Sequence, residues 1–108
     1  MEDTFYVVSE DLHNQLVGQV FEDRGFDREE AKAVAEFAAF ATRHGVRTHN
    51  ALKALHLDEL FGSAVGGCKP KAQVEIKESR FDACQTWNAN LKVGQAIACD
   101  AIEACIEM

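Results

Sequence analysis

Two stretches of this chain are apolar around most of a helical circumference, and the rest of the pattern falls between them. From Ala31 to Ala41 only Lys32 and Glu36 are charged, and the remaining positions are Ala, Val and Phe. From Gly94 to Met108 the acidic residues Asp100, Glu103 and Glu107 share one strip, and nearly everything else is Ala, Ile or Cys. A helix apolar over most of its surface is a buried helix, so both predict deep cover. Ahead of them Thr4 to Val8 reads as a short strand. Ser9 is a predicted N-cap, and Leu12, Leu16, Val20 and Phe21 form the stripe of an amphipathic helix ending at Gly25. Asp27 with Glu30 three residues later is a capping-box pattern that opens the second helix.

After that helix, Gly45 is placed to end it in the left-handed region, and Thr48 is the predicted N-cap of a third helix over His49 to Phe61. Gly62 and Gly66-Gly67 then break the chain. Between Lys71 and Glu78 the period changes to two, with Ala72, Val74 and Ile76 against Lys71, Gln73, Glu75 and Lys77. That alternation predicts a half-buried strand, with Ala83, Gln85 and Trp87 on the returning arm of a hairpin near 71–88. The expected fold class is therefore α+β: about four helices, two of them largely buried, a short N-terminal strand and a β hairpin. Residues 1–62 form a helical, histidine-bearing part, and 71–108 form a hairpin plus helix within the same single partial domain.

Composition narrows the functional classes. With 108 residues and a hydrophobic share of 47%, the chain has material for one core. A formal net charge of −7 argues against a nucleic-acid surface, which needs clustered Lys and Arg. No signal-like N-terminus or membrane-length apolar run is present, so a cytoplasmic protein without a membrane partner is expected. Cys68, Cys84, Cys99 and Cys105 form no C-x-x-C pair and read as reduced thiols.

The candidate chemistry lies in His44-Gly45-Val46-Arg47-Thr48-His49-Asn50-Ala51-Leu52-Lys53-Ala54-Leu55-His56, which holds three of the chain's four histidines. On a helix starting at His49, the residues His49, Lys53 and His56 stack along one strip beside Leu52 and Leu60. Such a strip bordering an apolar face suits a crevice in which His49 performs general acid/base work. The same spacing also describes a plain solvated face. A zinc site using His44, His49 or His56 is the less favoured alternative, and no metal is expected.

These residues also carry a resemblance. The run Phe21 to Lys53, with Gly25, Asp27-x-x-Glu30, the Ala-rich helix and Gly45-Val46-x-Thr48-His49-x-x-x-Lys53, resembles the start of the type-2 malate/L-lactate dehydrogenase family. Ureidoglycolate dehydrogenase, diketogulonate reductase and Δ1-piperideine-2-carboxylate reductase belong to it as well. The family pattern there is Gly-Val-Asp-Ser-His-Gly-x-x-Arg, followed by a helix, a β hairpin and a Gly-Leu-Gly-Gln turn opening another helix. Val93-Gly94-Gln95-Ala96 stands where that turn belongs.

The resemblance implies an NAD- or NADP-dependent oxidoreductase of 2-hydroxy and 2-keto acids. Its fold is not of the Rossmann type, so G-x-G-x-x-G is not required. The motif histidine matches His49, which would protonate the carbonyl oxygen as hydride reaches carbon. The neighbouring serine matches Thr48, which keeps a hydroxyl. The arginine that helps hold the substrate carboxylate matches Lys53, a point charge instead of a bidentate fork. Asn50 replaces the glycine after the histidine.

Family members are much longer, and most of their cofactor site lies outside the matched stretch. The chain is thus expected to be an N-terminal portion, inactive alone and without tight cofactor binding, whose partners are a small 2-keto or 2-hydroxy acid and either a second copy or a missing C-terminal domain. The alternative is a non-enzymatic helical oligomerisation or small-acid-binding module, with a homodimer expected from the two apolar helices.

Overall fold

The computed structural model describes residues 7–77 and 80–107, and all structural statements here concern those residues. They form helices α1 (Glu10–Asp23), α2 (Arg28–Arg43), α3 (Ala51–Phe61) and α4 (Gly94–Glu107), with strands β1 (Glu75–Lys77) and β2 (Thr86–Asn88) between α3 and α4. The α+β class holds. The strand expected over Thr4–Val8 lies mainly outside the described residues, and its described end, Val7 and Val8, is irregular and exposed.

Local chemistry sets each boundary. Ser9 caps α1 by accepting from the Leu12 N–H at 3.2 Å. At the other end Gly25, at φ +101°, lets the chain reverse in a Schellman motif. The Gly25 N–H donates to Glu22 O and the Phe26 N–H to Phe21 O. The side chains of the last pair meet edge-to-face at 5.3 Å, the apolar contact that accompanies this motif. The Asp27–Glu30 capping box is present in both directions. Gly45 (φ +72°) ends α2 by a second Schellman motif, with Gly45 N–H on Thr42 O and Val46 N–H on Ala41 O.

The core lies where α1 crosses α2. It comprises Val17 and Phe21 of α1, Phe26, the small residues Ala31, Ala33, Val34 and Ala35 of α2, and Val93 and Ala96 at the start of α4. The α1 stripe differs from expectation: Val17 and Phe21 are buried, whereas Leu12 and Leu16 stand exposed. The alanines of α2 admit close approach only along one line, and Val17 and Phe21 occupy it; the two leucines fall beside it. Phe37 and Phe40 on α2 are likewise exposed, so the buried side of that helix is built from small residues.

Of the two helices expected to be buried, only α2 is. In α4 Ala96 alone is buried, and Ile102 and Ile106 are 59% and 79% exposed. Ala96 and Cys99 pack on the core, Ile97, Ala101, Ala104 and Cys105 face a cavity shared with Trp87 of the hairpin, and Ile102 and Ile106 are left exposed among the described residues.

The hairpin is antiparallel with Ile76 opposite Trp87. Its described pairing runs from Glu75 to Lys77, shorter than the alternation suggests, and Lys71 ahead of it takes a positive φ. Ala72 and Val74 are half-buried, while Ile76 is exposed.

Two buried ionic knots tie these elements together. Glu30, 1% exposed, accepts from the Asp27 N–H at 3.1 Å and the Lys71 N–H at 2.8 Å through Oε1. Its Oε2 takes the Lys92 ammonium at 3.2 Å, which also donates to Ala72 O. One carboxylate therefore fixes the start of α2, the approach to the hairpin and the approach to α4. The second knot is Asp58 on α3, which takes the Arg24 guanidinium at 2.9 Å along with the Ser63 N–H and hydroxyl. Arg24 donates to Leu55 O as well, so α3 is held to the end of α1.

Candidate active site

The second Schellman turn delivers the chain into a single 3-10 turn, Arg47–His49, ahead of α3. Asn50, in extended backbone, accepts from the Lys53 N–H at 3.1 Å and caps α3, which therefore starts at Ala51. Thr48 is not the cap. Its hydroxyl is committed to His49, with Thr48 Oγ1 and His49 Nδ1 at 2.8 Å. The expected continuous strip is accordingly broken: Lys53 and His56 lie on α3, and His49 lies on the turn before it. An Asx cap serves a helix N-terminus as well as a hydroxyl does, and it leaves the threonine free for the imidazole.

This arrangement has a definite chemical consequence. A hydroxyl can donate to a bare ring nitrogen or accept from a protonated one. With Nδ1–H donating to Thr48 Oγ1, the Nε2 edge is the one left to exchange a proton with a ligand. Thr48 thus sets ring orientation in both protonation states.

Lys53 occupies the first turn of α3, where the helix N-terminus adds positive potential. An ammonium is disfavoured there for helix stability, and the same sum of charges suits a bound carboxylate. In a chain of net charge −7 this is a locally cationic spot.

The water-poor crevice expected around these groups is not closed by this chain. Thr48, His49, Lys53 and His56 are all exposed, and so is Leu52 next to Lys53, at 75%. His44 plays a structural part: its ring stacks on Phe40 at 4.3 Å and its Nδ1 meets Phe40 O at 2.9 Å. Among the described residues no group of three or more His, Cys, Asp or Glu side chains is placed to hold a metal ion.

A cavity of about 810 Å³ between α1 and α2 is lined by Asn14, Gln15 and Gln19, by Glu22, Glu29 and Glu36, and by Arg28 and Lys32. Its carboxylates outnumber its cations, so its walls do not suit the pyrophosphate of a dinucleotide, which calls for N–H donors and positive charge.

The two ionic knots were not anticipated. Glu30 reads from sequence only as a capping-box residue, and the one available signal is that residues 81–108 contain a single cation, Lys92. For Asp58 and Arg24 the sequence offers no signal, since their pairing depends on how α3 folds back across α1.

No protein-family model matches this chain. No curated protein matches it in sequence. Solved structures do match in fold. A Δ1-piperideine-2-carboxylate reductase from Pseudomonas syringae pv. tomato superposes with TM-score 0.79 at 24% identity, over 95% of this chain and 30% of that one. A malate dehydrogenase from Pyrococcus horikoshii OT3 superposes with TM-score 0.83 at 19% identity, over 99% of this chain and 32% of that one. The chain thus has the fold of about a third of each, and both are of kinds that the sequence resemblance names. The superposition covers the histidine-bearing turn, the hairpin and α4 together.

Proposed function

We propose that this chain is the proton-handling, N-terminal portion of an NAD- or NADP-dependent oxidoreductase acting on a small 2-hydroxy or 2-keto acid. The observation that carries the reading is the Thr48–His49 hydrogen bond at the head of α3, which leaves one imidazole edge open beside Lys53. In this reading His49 Nε2–H meets the substrate carbonyl oxygen and gives up its proton as the alcohol forms; in the reverse direction it takes the hydroxyl proton. Nδ1–H stays on Thr48 throughout. Lys53 and the positive end of α3 hold the substrate carboxylate. Hydride chemistry belongs to the nicotinamide, which other residues must bind.

The exposure of Leu52 beside Lys53 fits a pocket completed by further protein. The chain alone is then not expected to turn over. Purified protein supplied with NADH or NADPH and pyruvate, oxaloacetate or a cyclic imino acid should show no steady oxidation of cofactor. Added keto acid should still shift the NMR signals of His49 and Lys53 saturably, leaving those of His13 unmoved. Unchanged His49 and Lys53 signals would remove the substrate role.

A second reading, an oligomerisation module, draws on the exposed Ile102 and Ile106 of α4. It requires self-association, and a monomeric sedimentation profile at all accessible concentrations would exclude it.

A further inference from the structure

The four cysteines fall into two classes. Cys68 and Cys99 are half-buried, and burial raises both thiols above the ordinary value. Nearby carboxylates push the same way, Asp58 and Glu30 for Cys68 and Asp100 for Cys99, so their thiolate populations are low. Cys84 and Cys105 are exposed. They are 21 positions apart, one in the turn leading into β2 and the other in the last turn of α4, yet they line the same cavity. That cavity, about 410 Å³, is walled by Trp87 of the hairpin and by Ile97, Ala101 and Ala104 of α4.

We propose that Cys84 and Cys105 form a peroxide-responsive dithiol whose oxidation ties the hairpin to the C-terminal end of α4. The thiolate of one cysteine attacks a peroxide oxygen, forming an S–O bond as the O–O bond breaks and hydroxide leaves. The second thiol then attacks the sulfenic sulfur, forming S–S and expelling water. Two thiols and one hydrogen peroxide thus become one disulfide and two waters, with two electrons passing from sulfur to peroxide. A reducing thiol reverses the bond by exchange.

The geometry required is a Cα separation of about 4.4–6.8 Å. Both cysteines sit near the ends of their elements, where the backbone adjusts at least cost. The turn before β2 is held locally by the Cys84 N–H on Phe81 O at 3.3 Å, and Cys105 is two residues from the end of α4. Closure would narrow the cavity between the hairpin and α4, with Trp87, the single tryptophan, as a built-in reporter. A transient, redox-sensing disulfide is the type that a reducing compartment permits.

The test treats the reduced full chain with limiting hydrogen peroxide, blocks remaining thiols with iodoacetamide and measures intact mass. The expected result is a monomer lighter by two hydrogen atoms. Tryptic digestion should join the peptide 81–92 to the peptide 93–108, with fragmentation placing the bond at Cys105 and not Cys99. Cys84→Ser and Cys105→Ser should each abolish the product, Cys99→Ser should retain it, and dithiothreitol should restore the original Trp87 emission. Cys84→Ala and Cys105→Ala, checked for helicity by circular dichroism, guard against a serine variant that fails to fold. No monomeric disulfide, a bond involving Cys68 or Cys99, or cross-links only between copies would overturn the proposal.

Discussion

Replacing Lys92 with methionine probes the knot on which the arrangement of α2, the hairpin and α4 depends. The substitution keeps the aliphatic stem and removes the ammonium that meets Glu30 Oε2 at 3.2 Å. Glu30 is 1% exposed, and the Lys92 side chain 11%, so water replaces the lost donor poorly. Breaking a buried ion pair by deleting one partner costs about 3–5 kcal/mol, because the surviving charge stays buried without compensation. Here Oε1 keeps two backbone N–H donors, from Asp27 and Lys71, and Lys92 lies at the edge of solvent. The lower limit applies, about 3 kcal/mol. At about 4–8 °C per kcal/mol for a domain of this size, the melting midpoint should fall by roughly 12–24 °C.

Glu30→Gln should cost less, about 1–2 kcal/mol. Its amide oxygen still serves the two backbone donors, and the Lys92 ammonium keeps Ala72 O and can turn to water. The double variant should lose less than the sum of the single losses, the difference being a coupling of about 1–2 kcal/mol. Urea unfolding followed by circular dichroism at 222 nm gives all three values. A Lys92→Met loss within about 0.5 kcal/mol of zero, the range of an ordinary surface substitution, would refute the claim that this pair organises the fold.

Further outcomes can be checked alongside. Phe26→Ala removes one ring of the Phe21–Phe26 pair from the core and should destabilise by about 3–5 kcal/mol in the same unfolding assay. Asn50→Ala deletes the cap of α3 and should cost about 1 kcal/mol, whereas Asn50→Ser should be nearly neutral. Because burial first, and then Asp58 and Glu30, raise the Cys68 thiol, iodoacetamide should modify Cys68 more slowly than Cys84 and Cys105, with its rate climbing at higher pH. The folded state therefore favours neutral Cys68; that contribution is present below the unfolded thiol value and is lost as pH rises through the folded one, so stability should decline in the alkaline range.

Much of the fold was legible because its signals are local. Ser9, the Asp27–Glu30 box, Gly25 and Gly45 act on backbone groups within a few residues, and each did what its chemistry predicts. The start of α4 at Gly94 was equally plain. Where two polar residues competed for one task, periodicity could not choose: Asn50 took the cap and Thr48 the imidazole. Burial was legible in kind and misread in place. The stripe Leu12–Leu16 is as regular as any, but only the three-dimensional line of alanines on α2 selects Val17 and Phe21. The apolar character of α4 is plain in the sequence, while Ile102 and Ile106 remain exposed among the described residues. The candidate site was legible as a set of residue types and illegible as a pocket, since neighbours beyond Leu52 would have to close it.

Whether Thr48 orients His49 so that Nε2 meets a keto acid is decided by long-range ¹H–¹⁵N NMR of the His49 ring near neutral pH. The expected result is the Nδ1–H tautomer in the neutral ring, its loss in Thr48→Val, and a saturable shift of Nε2 on adding pyruvate. A neutral ring protonated at Nε2, identical in wild type and Thr48→Val and indifferent to pyruvate, would contradict it.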